Sequence, residues 1–512
     1  MKRLVSAVER LRNREEQLFL ILTVVVGLVA GLSAVLFSLT IEFVTRTLFG
    51  LAPSSGRMLL VPIIGSLISG VLLSKVITGV RGSGVPQTKT AYHLSGGVIP
   101  AHVPLGKFLT GVICIGTGQS MGREGPSVQI GAGLASIIGR WMHLSPRRVR
   151  DLVPVGAAGA LAAAFNTPLS AVLFALEEII GDTNAPLLGS TVVASVSSVI
   201  VERTLLGNEP LFHVPAYHLE HPAEILAYAL LGIVGGALSL AFSQGLLRLR
   251  KVFLALPPAT NMFHPLVGGV VVGLLALVTP AVLGVGYDYV GQALNSELIL
   301  TTMVSLCLLK MVATTISYSS GNAGGIFAPS LYIGAMAGGA LGILVHTYAP
   351  FPTADAGAYA LVGMGTLFAG IIRAPMTSVV MIFEITQDYQ ILVPLMVANL
   401  LSFLLARRLQ PLPVYEALLR QDNIHLRERA HGAGRGARTA GELMVVTSER
   451  LEHVPPVHVH PDHSLTTVLE RLARSEGPLP VVSRADSRLL QGHITIDSVQ
   501  QAFRSGAMPD AP

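Results

Sequence analysis

The chain reads GREGPSVQIG from Gly122 to Gly131 and GIFAPSLYIG from Gly325 to Gly334, and the two stretches match at five of ten positions. Both have glycine at each end and proline followed by serine in the middle. Glycine lets the backbone approach another segment or a ligand closely, and proline is suited to the first turn of a helix. The pattern therefore predicts two related helix starts, one in each half of the chain.

A longer alignment indicates that the whole unit is repeated. GAAGALAAAFNTPLSAVLFALEE, residues 156–178, aligns without a gap with GMGTLFAGIIRAPMTSVVMIFEI, residues 363–385, and places Glu177 opposite Glu384. Copies that each cross a membrane an odd number of times are inverted relative to one another, which is a common build of secondary transporters. Inverted repeats of this kind place the binding site at their interface.

The composition is that of a membrane protein. Only 13% of the 512 residues are charged, against about 25% in an ordinary soluble domain, and the mean hydropathy is +0.62. No charged residue occurs in 18–41, 252–287 or 311–354, whereas the end of the chain resembles soluble protein. We expect an all-α polytopic membrane protein followed by a small α/β segment. We predict a cytoplasmic N-terminal amphipathic segment at 1–16, membrane repeats at 17–214 and 215–419, a linker at 420–445 and a tail motif at 446–512.

Positive charges flank the apolar part of the chain on both sides. A basic start precedes an uncharged run of 24 residues, which is too long for a signal peptide and sufficient to cross about 30 Å of hydrocarbon. Arg407 and Arg408 follow the last apolar stretch. By the positive-inside rule we expect both termini in the cytoplasm and an even number of crossings. Anionic membrane lipid accounts for the net charge of +5 without a nucleic acid partner.

Two short uncharged segments meet at a pair of charged residues. Fifteen uncharged residues separate Lys107 from Arg123, and another fifteen separate Glu124 from Arg140. Each segment would form only about 22 Å of helix, which is too short to span a bilayer. Irregular backbone at membrane depth is tolerated only where it is buried in protein or lines a cavity, and a charged residue there indicates a functional site. The sequence therefore predicts broken helices that meet at Arg123 and Glu124.

Glycine-rich turns precede three predicted helix starts, at Gly82–Pro86 (GSGVP), Gly122–Pro126 (GREGP) and Gly324–Pro329 (GGIFAP). A helix N-terminus carries about half a positive charge, which suits a bare anion. Such partial charges also let the ion leave again, whereas a full charge in a low dielectric would retain it. The three turns therefore predict a pore for a small inorganic anion.

The three motifs, in this order and spacing, resemble the CLC family of chloride channels and proton-coupled chloride antiporters. The resemblance covers about Leu18 to Tyr415. It implies a CLC-like inverted repeat with broken helices, chloride and protons as the transported ions, and no cofactor. It also implies a homodimer with one pore per subunit in the bacterial inner membrane. Ser83, where nitrate-preferring relatives have proline, implies a preference for chloride.

The same resemblance implies roles for single residues. Ser83 and Tyr415 would offer hydroxyl groups to a central anion, Glu124 would be the gate, and Glu178 would be the internal proton acceptor. The remaining pore residues contribute backbone, with anion-binding amides at Ile326 and Phe327 and pore-lining backbone at Arg123, Gly125 and Ala328.

Glu178 decides between antiport and passive conduction. The repeat pairs Glu177 with Glu384 but places Glu178 opposite Ile385, so Glu178 belongs to one copy only. Antiporters of the family resemble this chain in having glutamate here, which favours antiport over a passive voltage- or pH-gated chloride channel. A third alternative is an intramembrane hydrolase, because Gly118–Gly122 matches the G-x-S-x-G nucleophile pattern. That pattern needs a preceding strand and a partner histidine, so we expect no enzyme.

The tail resembles a single CBS motif, which normally works in pairs. We predict a strand at 457–459, a helix at 464–476, strands at 479–483 and 489–496, and a helix at 498–503. Gly492–Asp497 is a shortened form of the usual nucleotide-contacting Thr-x-x-Asp, so an adenine nucleotide is the weaker expectation. Four histidines between 453 and 463 lack the spacing of a zinc site.

Overall fold

The computed structural model describes residues 2–50, 52–182, 187–208, 210–212, 214–215, 217, 219–387, 389–426, 439–463, 465–473, 475, 477–484 and 486–505. The chain forms two units, Met1–Leu426 and Arg427–Pro512. Parts of the predicted linker and tail, at 427–438 and 506–512, lie outside the described residues.

The first unit consists of helices joined by short connections. Two of the helices continue directly into a π-helical turn, at Leu72–Val76 and Ala175–Ile180. The helices are α1 (Lys2–Phe49), α2 (Ser55–Val71), α3 (Val85–His93), α4 (His102–Gly116), α5 (Glu124–Trp141), α6 (Pro146–Phe165), α7 (Pro168–Phe174), α8 (Leu188–Leu206), α9 (Glu224–Leu254), α10 (His264–Val278), α11 (Tyr287–Leu294), α12 (Leu300–Ser319), α13 (Phe327–Tyr348), α14 (Ala356–Ile372), α15 (Pro375–Thr386), α16 (Leu392–Leu409) and α17 (Val414–Gln421).

Many of these helices have the length and composition of membrane spans. Large apolar side chains such as Leu20 and Ile21 are more than half exposed, as expected for a surface that faces lipid. The predicted helix break is confirmed, because α4 ends at Gly116 and α5 begins only at Glu124. Seven described segments are long and apolar enough to cross a membrane: Gln17–Phe49, Ser55–Val76, Leu188–Leu206, Glu224–Leu254, Leu300–Ser319, Phe327–Tyr348 and Leu392–Gln421.

Paired glycines bring helices into close contact in both repeats. In the first repeat, a Cβ atom added to Gly131 of α5 would collide with the carbonyl oxygen of Gly156 of α6, and the reverse also holds. Gly334 of α13 and Gly363 of α14 form the same reciprocal pair in the second repeat. These glycines are the ends of the repeated sequence stretches, so the repeat preserves a packing contact that larger residues would prevent.

Two glutamates connect the repeats by capping helices. Glu384 of α15 accepts hydrogen bonds of 2.8 and 2.7 Å from the first free amides of α7, at Leu169 and Ser170. Glu177, which follows α7, accepts a 2.9 Å bond from the amide of Thr377 near the start of α15. Each carboxylate satisfies amides that a helix start leaves without partners. The aligned pair Glu177 and Glu384 therefore has one structural function in both repeats.

The second unit contains a three-stranded antiparallel sheet and short helices. The strands are β1 (Val445–Arg450), β2 (Leu479–Val482) and β3 (Leu489–Ile494), in the order β1-β3-β2. The helices are α18 (Ala440–Leu443), α19 (Leu465–Leu472) and α20 (Ile496–Ser505). Val459, Val468 and Val481 are among the buried residues of its small core.

The structure differs from the predicted tail at its beginning. Strand β1 was not predicted, because four of its six residues are polar and it lies at the edge of the sheet. The strand predicted at 457–459 is only a single bridge between Val459 and Val481. Prolines at 455, 456 and 461 lack the amide that a longer strand would need.

Candidate anion site

The three glycine-rich turns are joined to one another by backbone hydrogen bonds. The amide of Gly82 donates to the carbonyl of Asn322, and the amide of Gly324 donates to the carbonyl of Gly82, both at 3.1 Å. Gly122 and Gly325 exchange bonds of 2.7 Å in both directions. Loops from both repeats therefore form one structure, with the starts of α3, α5 and α13 beside it.

Glycine is required at two positions of this structure. A Cβ atom on Gly125 would collide with the hydroxyl oxygen of Ser83 and lie 2.7 Å from its carbonyl oxygen. Gly84 has a φ of +99° and caps α3, and a Cβ atom there would lie 2.8 Å from the carbonyl oxygen of Gly125. The turn at Ser83 and the start of α5 are thus in direct contact.

Buried polar atoms without a hydrogen-bond partner at these turns or beside them include Ser83 Oγ, Glu124 Oε2, Arg123 Nε and Tyr415 Oη. Ser83, Glu124 and Tyr415 are 0% exposed. Tyr415 belongs to α17, and its hydroxyl interacts electrostatically with Glu178 and Glu124. Buried polar groups almost always have partners, and each exception needs a physical explanation. A small ligand between the turns would explain these exceptions, because it would contact the atoms that lack partners.

The start of α13 is held by aromatic packing. The ring of Phe327 lies 4.5 Å from that of Phe368 and 5.1 Å from that of Phe165, measured between centroids. Ile326, Phe327 and Ala328 are at most 1% exposed. The packed side chain fixes the backbone of the turn, so the amides at this helix start have a defined direction.

Glu124 is held by a tyrosine that the sequence analysis missed. Tyr287, the first residue of α11, donates a 2.5 Å hydrogen bond to Glu124 Oε1. The guanidinium of Arg123 lies over the Tyr287 ring, 5.7 Å from its centroid. A Cβ atom on Gly122 would collide with Glu124 Oε2, so the absence of a side chain there leaves room for the carboxylate.

The structure reveals a further part of the repeat. Gly284-Val285-Gly286 before α11 corresponds to Gly82-Ser83-Gly84 before α3, and Gly286 caps α11 with a φ of +83°. Lys107 donates a 2.5 Å hydrogen bond to the carbonyl of Gly82, and Lys310 donates a 2.7 Å bond to that of Gly284. Each buried lysine also bonds the carbonyl two residues earlier, at 3.0 and 3.2 Å. This short match is the signal that could have identified Tyr287.

Glu178 also has a partner that the sequence analysis missed. Its Oε1 atom lies 2.8 Å from the ammonium of Lys89 on α3, and the same ammonium lies 3.3 Å from Glu416 of α17. The Lys89 and Glu178 side chains are buried, whereas that of Glu416 is 37% exposed. Glu178 therefore differs from Glu177, which caps a helix.

A cation-rich cavity of about 630 Å³ extends to the first glycine turn. Its lining includes Lys75, Arg81 and Arg250, and it reaches Gly82 and Tyr318 beside the turn. Positive charge in a cleft raises the local concentration of anions. Among the described residues, no group of three His, Cys, Asp or Glu side chains is arranged to hold a metal ion.

The hydrolase alternative finds no support at its serine. The hydroxyl of Ser120 is buried and lies 3.1 Å from the hydroxyl of Thr314, so its partner is a threonine and not a histidine. The segment before it is the helix α4 and not a strand. The nucleophile arrangement needs both features.

The sequence is similar to those of known transport proteins. Among curated proteins, the H(+)/Cl(-) exchange transporter ClcA of Vibrio campbellii (strain ATCC BAA-1116) is 30% identical over 414 residues, which cover 78% of this chain and 88% of that protein. ClcA of Cronobacter sakazakii (strain ATCC BAA-894) is 32% identical over 422 residues, which cover 80% and 90%.

Solved structures share the fold. The X-ray structure of a slow cyanobacterial Cl⁻/H⁺ antiporter matches with a TM-score of 0.72 and 26% identity, over 80% of this chain and 98% of the other. A eukaryotic CLC transporter matches with a TM-score of 0.65 and 22% identity, over 96% and 90%. The family model of the voltage-gated chloride channels matches residues 65–407. The chain therefore belongs to the voltage-gated chloride channel family, the CLC family.

Proposed function

We propose that this chain exchanges chloride for protons across the membrane. The observation that carries the proposal is the group of buried atoms without partners, Ser83 Oγ, Tyr415 Oη and Glu124 Oε2, beside the joined glycine turns. Hydroxyl groups and helix amides can replace the hydration shell of a chloride ion without a full positive charge. In this proposal the hydroxyls and the amides of Ile326 and Phe327 bind the central anion, and the backbone of Arg123, Gly125 and Ala328 lines its path.

Glu124 acts as the gate in this proposal. Its carboxylate is itself an anion at the start of α5, where the helix dipole favours negative charge. It can therefore occupy the outer position of an ion until a proton neutralises it or a competing chloride displaces it. One side chain then responds to both transported ions, which is the requirement for coupling.

Glu178 is the internal proton acceptor in this proposal. It is a buried carboxylate on the π-helical turn after α7, and the second repeat has the apolar Ile385 at the aligned position. Its ion pair with Lys89 connects it to the more exposed Glu416. The exchange transporters and antiporters among the relatives favour this function over a passive channel.

The resemblance to the family also supports the proposed setting. We place the chain in the bacterial inner membrane with both termini in the cytoplasm, as a homodimer in which each subunit has its own pore. Membrane lipid surrounds the exposed apolar helices. Adenine nucleotide at the tail is a weaker proposal, because its predicted contact at Gly492–Asp497 is shortened.

Reconstituted vesicles provide the test. Purified protein is placed in liposomes with an outward chloride gradient, and chloride efflux and external pH are recorded together. We expect chloride-driven proton uptake against a proton gradient, and none in protein-free liposomes. Chloride flux without proton movement would identify a passive channel, and the absence of any chloride flux would overturn both functions.

A further inference from the structure

Lys89 lies between two carboxylates, one of which is the proposed internal proton acceptor. Its ammonium is 2.8 Å from Glu178 and 3.3 Å from Glu416. The Lys89 and Glu178 side chains are 6% and 5% exposed, whereas Glu416 is 37% exposed. The contacts therefore form a short chain of charges from the interior to the surface.

The three charges do not balance. One ammonium faces two carboxylates, so with all three groups ionised the cluster has one excess negative charge. A buried carboxylate without a cation is strongly disfavoured, and so are two carboxylates close together. Glu178 and Glu416 therefore compete for Lys89, and a proton on either carboxylate releases Lys89 to the other.

Three further titratable groups lie near Glu178: Glu177, His93 and Tyr415. Glu177 caps α15 through the amide of Thr377, and His93 of α3 is 2.9 Å from the carbonyl of Ile179. Neither contact supplies a cation to Glu178. Tyr415, which precedes Glu416, interacts electrostatically with Glu178 but carries no positive charge.

Two further elements lie near the cluster. Helix α6 packs against the turn that holds Glu178, and its Arg150 pairs with Asp151 at 3.7 Å on the same helix. Arg373 interacts with Glu416 but donates its hydrogen bonds to carbonyls, including that of Pro411 at 2.7 Å. Among the described residues, Lys89 is the cation in direct contact with Glu178.

The repeat indicates that Lys89 and Glu178 belong together. With Gly82 aligned to Gly284, the counterpart of Lys89 is Gly291, and the counterpart of Glu178 is Ile385. The second repeat lacks both members of the pair, although it keeps the helix and the capping glutamate. Because the second repeat lacks both residues, the Lys89–Glu178 pair is not part of the framework that the two repeats share.

We propose that Lys89 is a positioning residue that divides its charge between Glu178 and Glu416, so that the exposed Glu416 sets the pH at which Glu178 takes up its proton. The inference rests on the proposed function of Glu178 as the internal proton acceptor. When Glu416 is ionised, it draws Lys89 away from Glu178 and favours protonation of Glu178. When Glu416 is neutral, Lys89 stabilises the Glu178 carboxylate.

The test compares two variants for which the proposal requires opposite shifts. Chloride-driven proton uptake is measured in proteoliposomes over a series of symmetric pH values, and the midpoint of its decline towards alkaline pH is compared with wild type. Glu416→Gln leaves Lys89 to Glu178 alone, so the midpoint moves to lower pH. Lys89→Gln leaves Glu178 without its cation, so the midpoint moves to higher pH. Each midpoint is expected to shift by at least about one pH unit. A contact ion pair in a partly solvated interior changes the proton affinity of a carboxylate by about tenfold or more.

Controls separate this role from a structural one. Lys89→Arg keeps the charge and is expected to restore the wild-type midpoint, and Lys251→Gln removes an exposed cation on α9 and is expected to leave it unchanged. If Lys89→Gln does not fold, the exposed Glu416→Gln still provides the decisive shift, since it preserves the buried pair.

The outcomes distinguish two failures. Wild type without chloride-driven proton movement would remove the proposed function itself. Wild type that couples normally, with the Glu416→Gln midpoint unchanged or moved to higher pH, would overturn the role of Lys89 and leave the proposed function in place.

Discussion

The two repeats share their framework and differ in the side chains that face the proposed ion path. Both have the glycine pair between neighbouring helices, the buried lysine on carbonyl oxygens and the glutamate that caps a helix of the other repeat. At the aligned path positions, the first repeat has Ser83, Glu124 and Glu178, whereas the second has Val285, Phe327 and Ile385.

This difference separates two kinds of buried charge. Glu177 and Glu384 each accept amide hydrogen bonds of a helix start, so their charge has a structural reason. Glu124 and Glu178 have no acidic counterpart in the second repeat. Charged residues inside a membrane are costly and are retained mainly for function. The repeat thus separates carboxylates with a shared structural contact from those that we propose to act in transport.

The largest expected effect is that of Glu124→Gln. Glutamine resembles the permanently protonated gate, so proton movement is expected to disappear completely while chloride flux continues. Proteoliposomes with a chloride gradient and an external pH electrode measure both quantities. A Glu124→Gln protein that still drives protons uphill on a chloride gradient would remove the gate assignment.

Glu178→Gln and Glu177→Gln test neighbouring residues with different expected roles. Glu178→Gln is expected to abolish proton coupling but to keep chloride flux. Glu177→Gln and Glu384→Gln are expected to keep coupling and to lower stability by similar amounts, about 2 kcal/mol each, because each weakens charge-assisted bonds to a helix start. Thermal unfolding in detergent measures the second effect. Normal pumping by Glu178→Gln would move the internal proton site elsewhere.

Tyr287→Phe addresses how firmly the gate is held. The variant loses the 2.5 Å hydrogen bond to Glu124 but keeps the ring near Arg123. A hydrogen bond to a charged group contributes about 1.5–3 kcal/mol, so the closed position of Glu124 is expected to weaken by about tenfold or more. Chloride turnover should rise several-fold with coupling retained. Tyr289→Phe on the same helix is the matched control, and equal rates in both variants would contradict the role of Tyr287.

Ser83→Pro is expected to give the smallest effect, a change of preference rather than a loss of transport. The variant removes a hydroxyl donor from the proposed anion site and reshapes the turn between two glycines, so preference should shift from chloride towards nitrate. Competition between the two anions in a flux assay measures the shift. Val285→Ala, at the counterpart position, should leave the preference unchanged. Unaltered selectivity in a folded Ser83→Pro protein would argue against a ligand role.

Sequence reasoning predicted the features that depend on local pattern or on the repeat. Sequence patterns and the repeat alignment predict the glycine-rich turns, the helix break before Glu124 and the correspondence of Glu177 with Glu384. The CLC family resemblance and the all-α membrane fold were confirmed. These features are visible because glycine, proline and charge have strong positional preferences in membranes.

The contacts that sequence reasoning missed are tertiary. Lys89 lies three residues after a recognised motif, but its partners Glu178 and Glu416 lie far away in the chain, and no spacing rule connects them. Tyr287 reaches Glu124 from the other repeat. Such pairs depend on how helices pack, and a single sequence contains no periodic signal for them. The edge strand β1 was missed because its exposed side chains obscure the alternation that identifies a strand.

The joined glycine turns also bear on the order in which the protein is assembled. Gly82 and Gly122 emerge from the ribosome long before their partners Gly324 and Gly325, because domains and their parts are synthesised from the N-terminus. Until the second half of the chain arrives, these amides and carbonyls have no protein partners, which costs several kcal/mol for each group left unsatisfied in hydrocarbon. The proposed ion path is therefore completed late in biogenesis, and a nascent chain that stops before Gly324 leaves Gly82 and Gly122 without these backbone partners.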